Sequence, residues 1–209
     1  GSYLLNYRYS TMALIFPLLP ELEGSDEVPV YQDLSFKVHF CDEKAGNFSL
    51  WGIGGLSTSK MEGSDEVEEW IYPASRVKMN FHYNMGAGGI THTKSLGPKT
   101  YIKSTLALNA GQHSYHKKSR LFESTPSELV PLYNIDRIKG ALTASSVITH
   151  VSGPRLSLKA GIDANEHFYE LSGNARDYRA GELREILDGE GNSLMVDGFF
   201  QGRYKLASG

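Results

Sequence analysis

Residues 31–40, YQDLSFKVHF, decide the fold class of this chain. Positions 34, 36, 38 and 40 are apolar, whereas positions 33, 35, 37 and 39 are polar or charged. Successive side chains of a β-strand point to opposite sides of the pleated backbone. A strand with one face towards an apolar layer and the other towards water therefore alternates apolar and polar residues. The stretch therefore predicts a strand with one apolar and one polar face.

The same two-residue period recurs along the chain, and the helical period is nearly absent. In the first segment Tyr3, Leu5, Tyr7 and Tyr9 share one face. We predict an all-β chain, an antiparallel up-and-down meander of about eight strands. The predicted segments are 3–10, 31–40, 47–60, 76–93, 100–119, 137–152, 156–165 and 194–206.

The predicted connectors alternate in length. Short turns rich in Gly, Pro and charge lie at 41–47, 94–99 and 152–155, and long loops lie at about 17–30, 61–75, 120–136 and 172–191. Short turns at one end and long loops at the other are typical of a transmembrane β-barrel. Several segments also exceed the ~9–11 residues that a strand needs to cross a bilayer.

Composition excludes several other classes. The 209 residues suit one domain, spanning 1–209, and the net charge of −3 argues against a nucleic-acid partner. The single cysteine, Cys41, allows no internal disulfide. No run reaches the ~18 apolar residues of a membrane helix, whereas a β-barrel needs no such run.

Five blocks of sequence carry a family resemblance: GSYLLNYRYSTMAL (1–14), YQDLSFKVHF (31–40), AGNFSLWGIGGLSTS (45–59), MGAGGITHT (85–93) and DGEGNSLMVDGFFQGRYKL (188–206). Their succession resembles the barrel of TonB-dependent outer-membrane receptors, in particular those with a carboxypeptidase-regulatory-like domain ahead of the plug. The resemblance is weakest at 120–190.

The resemblance implies a location in the bacterial outer membrane and a role in uptake of a scarce ligand: a siderophore, cobalamin, glycan or peptide. The resemblance also implies a barrel of about 22 strands whose lumen is filled by an N-terminal plug domain. With about eight strands and no plug before the first, the chain is expected to be an internal fragment, a partial β-barrel domain. The implied partners are outer-membrane lipid, a plug domain, the TonB system and a small-molecule or oligomeric ligand.

Two other classes stay open. A self-contained small eight-stranded barrel with a structural or adhesive role requires the first strand to pair with the last. A soluble β-sandwich binding module requires two packed sheets. An enzyme is not expected, because no nucleophile, base and orienting group can be assembled from the motifs, and no catalytic residue or cofactor is predicted.

Histidine and glycine motifs receive structural interpretations. His113 and His116 are three residues apart on one strand and should face opposite sides, so no metal site is predicted. His39 and His82 are expected to face the lumen. GIGG (52–55) and GAGG (86–89) are assigned to close packing, bending or bulging of strands. The lumenal charges are expected to comprise Arg8, Lys37, Lys78, Lys103, Lys159, Arg203 and Lys205, facing Asp33, Asp163 and Asp197.

The hexapeptide EGSDEV occurs at 23–28 and again at 62–67, in neighbouring predicted long loops. The spacing of a regular Ca²⁺ loop is absent from both copies. We predict that the two loops form one negative patch at the barrel mouth, a candidate ligand-binding region. Its residues are Glu23, Asp26, Glu27, Glu62, Asp65 and Glu66.

Overall fold

The structure, a computed structural model, describes residues 1–10, 29–64, 66, 70, 73–120, 128–177 and 179–206. In this part of the chain no helix is long and apolar enough to cross a membrane. A short 3-10 helix, Pro73–Arg76, precedes the fourth strand. The eight strands are β1 (Ser2–Tyr9), β2 (Val30–Asp42), β3 (Gly46–Glu62), β4 (Val77–Gly97), β5 (Thr100–Arg120), β6 (Leu129–Val151), β7 (Leu156–Asp177) and β8 (Glu182–Tyr204).

All eight strands form one antiparallel sheet in the order β1-β2-β3-β4-β5-β6-β7-β8. The predicted all-β meander is therefore confirmed. The edges of the sheet are β1 and β8, and no ladder joins these two strands within the described residues. Over those same residues the sheet has neither the closure required by a self-contained small barrel nor the second sheet required by a sandwich.

The register divides the side chains between two faces. One row of paired residues runs from Leu5 of β1 through Phe36, Gly52, Gly88 and Leu108 to Leu142 of β6. We call its side of the sheet the apolar face. It carries the odd-numbered residues of β1 and the even-numbered residues of the later strands, except beyond the register shifts at the end of β4 and near the starts of β6 and β8. The opposite side is the polar face.

The sheet is a single layer. Its accessible surface is 14559 Å², whereas a folded monomer of this mass exposes about 9,700 Å². Leu106, Leu108 and Phe200 of the apolar face are 52%, 52% and 74% exposed. Among the described residues the buried hydrophobic side chains are only Val130, Leu132 and Ala141. Within the described residues, no protein layer covers these large apolar side chains.

Two predicted loops are largely strand. β6 begins at Leu129 inside the loop predicted at 120–136, and β7 and β8 occupy most of 172–191, with residues 179–181 in a turn before β8. Residues 172–191 carry polar residues on both faces, and residues 129–132 are apolar at both parities, so neither segment shows a two-residue hydrophobic period. Pro131, which reads as a strand breaker, lies at a register shift beside Lys118, where a missing N–H costs little.

The β2–β3 and β7–β8 turns have the same construction. The Asp42 carboxylate accepts the backbone N–H groups of Lys44 and Ala45 at 2.9 and 2.6 Å, and Gly46 closes the turn with a φ of 100°. The corresponding residues in the other turn are Asp177, which accepts from Arg179 and Ala180 at 2.8 and 3.3 Å, and Gly181, with a φ of 75°. The turns predicted at 41–47, 94–99 and 152–155 are confirmed.

The two glycine motifs lie side by side. Gly52 pairs with Gly88 and Gly54 with Gly86, and the β3–β4 ladder passes through both motifs without a register shift. The prediction of a bulge at these glycines is therefore wrong, whereas close packing is confirmed at Gly52. There the Phe36 ring occupies the space that a side chain would fill. The same relation joins Phe168 to Gly140 and Phe199 to Gly161.

Candidate functional site

The two faces exchange character towards the loop that joins β3 to β4. In β4, Ile90 lies on the apolar face, but beyond Gly86 the same face carries Asn84 and His82, and the opposite face carries Tyr83 and Phe81. Polar residues follow at the same level of the apolar face in β5, β7 and β8, and in β6 at Asn134 and Asp136. We call these strand portions the extension: residues 57–62, 77–84, 112–120, 129–137, 169–177 and 182–190.

Aromatic side chains of three strands gather on the polar face of the extension. The Tyr115 ring stacks on Phe81 with centroids 4.8 Å apart and on Tyr133 with centroids 6.5 Å apart. Tyr83 tilts against His113 at 5.6 Å. We call these five residues the ring cluster. Because adjacent strands hold the rings side by side, the cluster forms a continuous platform across β4, β5 and β6.

The ring cluster has a closed part and an open part. Tyr115 donates its hydroxyl to the Met79 sulfur at 3.6 Å. Burial raises the pKa of the Tyr115 phenol, and Tyr133 adds to the rise, so the hydroxyl stays protonated as a donor. Tyr83 is 59% exposed. A ligand could therefore reach the Tyr83 and His113 rings, while Phe81, Tyr115 and Tyr133 support them from one side.

On the three strands that carry the ring cluster, the charge on the polar face is of one sign, whereas Asp177 of β7 lies on this face two residues beyond Ala175, the partner of Tyr133. No Asp or Glu occurs between Glu69 and Glu123, so β4 and β5 hold no carboxylate. The only carboxylate of β6, Asp136, lies on the apolar face. The cations beside the rings on the polar face are Lys117, Arg137 and Lys139. Ring faces and cations without carboxylates suit a ligand that presents a flat face together with negative charge.

A polar groove of about 620 Å³ lies on the same face, nearer the short turns. Trp51 donates its indole N–H to the Thr91 hydroxyl at 3.3 Å, and Thr91 meets the Thr105 hydroxyl at 3.2 Å. Lys37 and Lys103 also line the groove. The polar face thus also offers hydroxyl and ammonium groups, at a distance from the ring cluster of about 26 Å along β4 between Tyr83 and Thr91.

A hydrogen-bonded network occupies the apolar side of the extension. His116 lies 3.1 Å from the Asp136 carboxylate. Burial tends to raise the pKa of Asp136, but hydrogen bonds from Ser114 and His116 and the nearby His82 outweigh it and hold that pKa below its ordinary value. The carboxylate therefore stays ionised and holds these polar groups together within the extension.

Register settles the predicted histidine positions. His113 and His116 face opposite sides, as predicted. His82 shares the apolar face, where it hydrogen-bonds Thr58 at 3.2 Å, so the expectation that it faces the same side as His39 is wrong. The described residues contain no group of three or more His, Cys, Asp or Glu placed to hold a metal ion.

The predicted lumenal charges that lie on strands share the polar face, except for Lys78. Lys78 lies on the apolar face and forms a 3.0 Å ion pair with Glu62, because the extension inverts the pattern in β4. Arg8 holds Asp33 through two 3.0 Å hydrogen bonds. The strand residues on the polar face are Arg8, Asp33, Lys37, Lys103, Lys159, Asp163, Asp197 and Arg203, and Lys205 follows the end of β8.

The predicted acidic patch is described only in part. Glu23, Asp26, Glu27 and Asp65 lie outside the described residues. Glu62 is the last residue of β3 and is neutralised by Lys78. Glu66 is exposed, and its backbone N–H donates to the Ser64 hydroxyl at 3.0 Å. A joint negative patch stays a prediction.

Sequence reasoning missed the ring cluster, although the signal is present. In RVKMNFHYNMGAGGI (76–90) the apolar parity is odd from Val77 to Met85 and even from Gly86 to Ile90. Such a phase change within one unbroken strand means that the apolar side chains change face.

A scan against protein-family models and a search of curated proteins gave no match. The likeness to TonB-dependent receptors therefore rests on the sequence blocks alone.

Proposed function

We propose that this chain is a barrel segment of an outer-membrane receptor of the TonB-dependent type, which takes up a scarce ligand. One observation supports the proposal above the others: an exposed apolar band crosses a single-layer sheet whose strands continue beyond it with polar residues. A bilayer supplies the missing apolar cover, and water on both sides of the extension accounts for its polarity.

The height of the band fits this environment. In β5 the apolar face carries hydrophobic residues from Ile102 to Ala110, with Ser104 among them. These nine positions span about 30 Å along the strand, close to the ~9–11 residues of a tilted transmembrane strand. Ser104 donates to or accepts from Ser146 of β6 at 2.9 Å, so its hydroxyl is satisfied within the band.

The band also steps along the sheet. The row of paired residues that begins at Phe40 in β2 ends at Gly198 in β8. Phe40 ends the hydrophobic residues of β2, whereas the apolar face of β8 continues to Phe200 and Tyr204. A band that crosses the strands obliquely is expected of strands tilted in a barrel wall.

In a bilayer the two edge strands of the sheet, β1 and β8, need pairing partners. Unpaired backbone N–H and C=O groups of β1 and β8 would each cost several kcal/mol in hydrocarbon. The proposal therefore includes further strands that pair with both edges. The self-contained small barrel would instead need β1 to pair with β8, and the sheet order offers no such ladder in the described residues.

The ring cluster is the surface that we assign to ligand contact. It lies in the extension, outside the apolar band, on the face that carries the polar groove. Stacking on aromatic rings is tolerant of ligand type, so the rings are compatible with a siderophore, a cobalamin, a glycan or a peptide. The cations beside the rings favour negatively charged members of these classes.

A pair of tryptophan probes tests the membrane location. In a background with Trp51 and Trp70 replaced by Phe, Leu106→Trp places an indole on the apolar face and Thr105→Trp places one on the polar face of the same strand. Both variants are reconstituted in vesicles of brominated phosphatidylcholine. We expect strong bromine quenching at position 106 and little at position 105, because only the first indole would contact acyl chains.

The Thr105→Trp variant is the matched control, since it differs by one position in β5. Equal quenching of the two indoles would contradict the assignment of faces to lipid and water. A chain that stays monomeric and folded without detergent, with neither indole quenched, would reject the outer-membrane proposal altogether.

A further inference from the structure

A basic groove lies on the polar face at the short-turn end of the sheet, far along the strands from the ring cluster. It has a volume of about 390 Å³ and lies between β6, β7 and β8 and the turn at 152–155. Four cations line it: Arg155, Lys159, Arg203 and Lys205. All four are exposed, so the groove is open to a ligand.

The sheet register fixes this arrangement. Lys159 of β7 lies between Thr149 of β6 and Gln201 of β8, and the next row places Ser157 beside Arg203. Beyond the strand ends, the backbone N–H of Lys205 donates to the Arg155 carbonyl at 2.9 Å. This bond ties the end of β8 to the turn, so cations from two separate segments line one groove.

None of the four cations has a carboxylate partner among the described residues. The ion pairs in this part of the chain involve Arg8, Lys78, His116 and Arg184. On the polar face of β7 and β8 the carboxylates nearest to Lys159 and Gln201 are Asp163 and Asp197, each four residues further along its strand. Four residues of strand span about 13 Å, beyond direct contact.

The rest of the lining selects among anions. Tyr101, Thr149 and Ser157 contribute hydroxyl groups, and no Asp or Glu among the described residues lines the groove. Phosphoryl oxygens only accept hydrogen bonds, and arginine matches them with paired donors. A singly charged anion would leave most of the positive charge uncompensated, whereas a ligand with several phosphoryl charges would balance the four cations.

We propose that the groove binds a small anion that carries at least two phosphoryl groups. Arg155 and Arg203 would hold phosphoryl oxygens through their guanidinium groups, and Lys159 and Lys205 would supply further charge. The hydroxyls of Ser157 and Thr149 would donate to the remaining oxygens. This assignment depends on the groove alone and holds whether or not the sheet belongs to an outer-membrane receptor.

Isothermal titration calorimetry of the full chain in a neutral maltoside detergent tests the proposal, with inorganic pyrophosphate as the probe at low ionic strength. We expect saturable binding at one site, weakened as salt rises because ions screen exposed charges. Arg203→Gln and Lys159→Gln should each weaken binding about tenfold, the effect of losing one charge-assisted contact. Lys44→Gln, which removes an exposed cation of the β2–β3 turn at the same end of the sheet, is the matched control and should bind as the parent does.

Variants outside the strands and two other anions complete the test. Arg155→Gln and Lys205→Gln alter residues outside the strands, so they test the groove even where a strand variant fails to fold by circular dichroism. Citrate and sulfate at the same concentration should bind at least tenfold more weakly than pyrophosphate. Absence of saturable pyrophosphate binding, equal weakening by Lys44→Gln, or equal affinity for citrate would each overturn the proposal.

Discussion

The ring of Phe36 lies across Gly52, its partner on the neighbouring strand, with a ring carbon 2.5 Å from the position that a Cβ would take. The ring thereby replaces the side chain that glycine lacks and covers backbone on the apolar face. Two strand positions further on, a Cβ built on Gly54 would meet only the Met85 carbonyl oxygen, at 3.5 Å.

This contrast predicts opposite results for two neighbouring alanine variants. Gly52→Ala should destabilise the sheet by about 1–3 kcal/mol, because the Phe36 ring must move. Gly54→Ala should be neutral or slightly stabilising, since alanine restricts the unfolded chain without a clash. Urea unfolding midpoints in detergent would measure both. Equal losses of stability in the two variants would show that the position of the Phe36 ring does not require a glycine at position 52.

The β7–β8 turn depends on a left-handed residue. Gly181 has a φ of 75° but open space around its Cβ position, with only an Arg176 nitrogen at 3.9 Å. Gly181→Ala should therefore cost about 1 kcal/mol from backbone conformation alone. Gly181→Asn should cost less, because asparagine tolerates this region better. Unfolding midpoints that rank asparagine below alanine would contradict the assignment.

Acid should loosen the same turn. Backbone N–H groups of Arg179 and Ala180, with a smaller contribution from Arg184, hold the pKa of Asp177 below its ordinary value. A carboxyl whose folded pKa is depressed contributes stability above its unfolded pKa of about 3.9, and that stability is lost as pH falls through the folded pKa. Asp177→Asn should therefore flatten the acid side of the stability profile, from about pH 5 down through the folded pKa of Asp177.

The side-chain amide oxygen introduced by Asp177→Asn can still accept the two backbone N–H groups, so the turn itself should persist. Arg184→Gln is the matched control, because it removes the 2.9 Å ion pair and leaves both backbone hydrogen bonds. It should keep most of the acid dependence. A profile that is flattened equally by Arg184→Gln would assign the effect to the ion pair instead.

Stacking in the ring cluster should appear as coupling energy. In a double-mutant cycle, Phe81→Leu and Tyr115→Leu should couple by about 0.5–1.5 kcal/mol, the range for an aromatic pair. Phe81→Leu combined with Tyr101→Leu should be additive, because Tyr101 lies near the other end of β5. Unfolding free energies of the single and double variants measure both cycles, and additivity of the first would contradict stacking.

Sequence alone predicted the strands whose faces differ. YQDLSFKVHF lies entirely beside the apolar band, so its alternation directly reports one apolar and one polar face. The start of β8, ELREILDGEGN, lies in the extension, and almost all of its side chains are exposed. With water on both faces there is no hydrophobic period to detect, and this segment was predicted as loop.

The missed turn nevertheless had a sequence signal. DEKAG at 42–46 and DYRAG at 177–181 share an aspartate, a basic residue, alanine and glycine at equal spacing. The carboxylate satisfies two backbone donors and glycine provides the left-handed closure, which is why the same residues suit both turns. The ring cluster needed the register as well, because only strand pairing brings residues of three strands together.

Pairing between consecutive strands also bears on how quickly the sheet can form. The longest sequence separation within any described ladder is that between Thr100 and His150, which are 50 positions apart. Each hairpin can therefore form before the following one. The outer strand of a formed hairpin then offers an edge with which the next strand can pair. We expect a folding rate that depends little on the length of chain already assembled, since each step closes a loop of similar size.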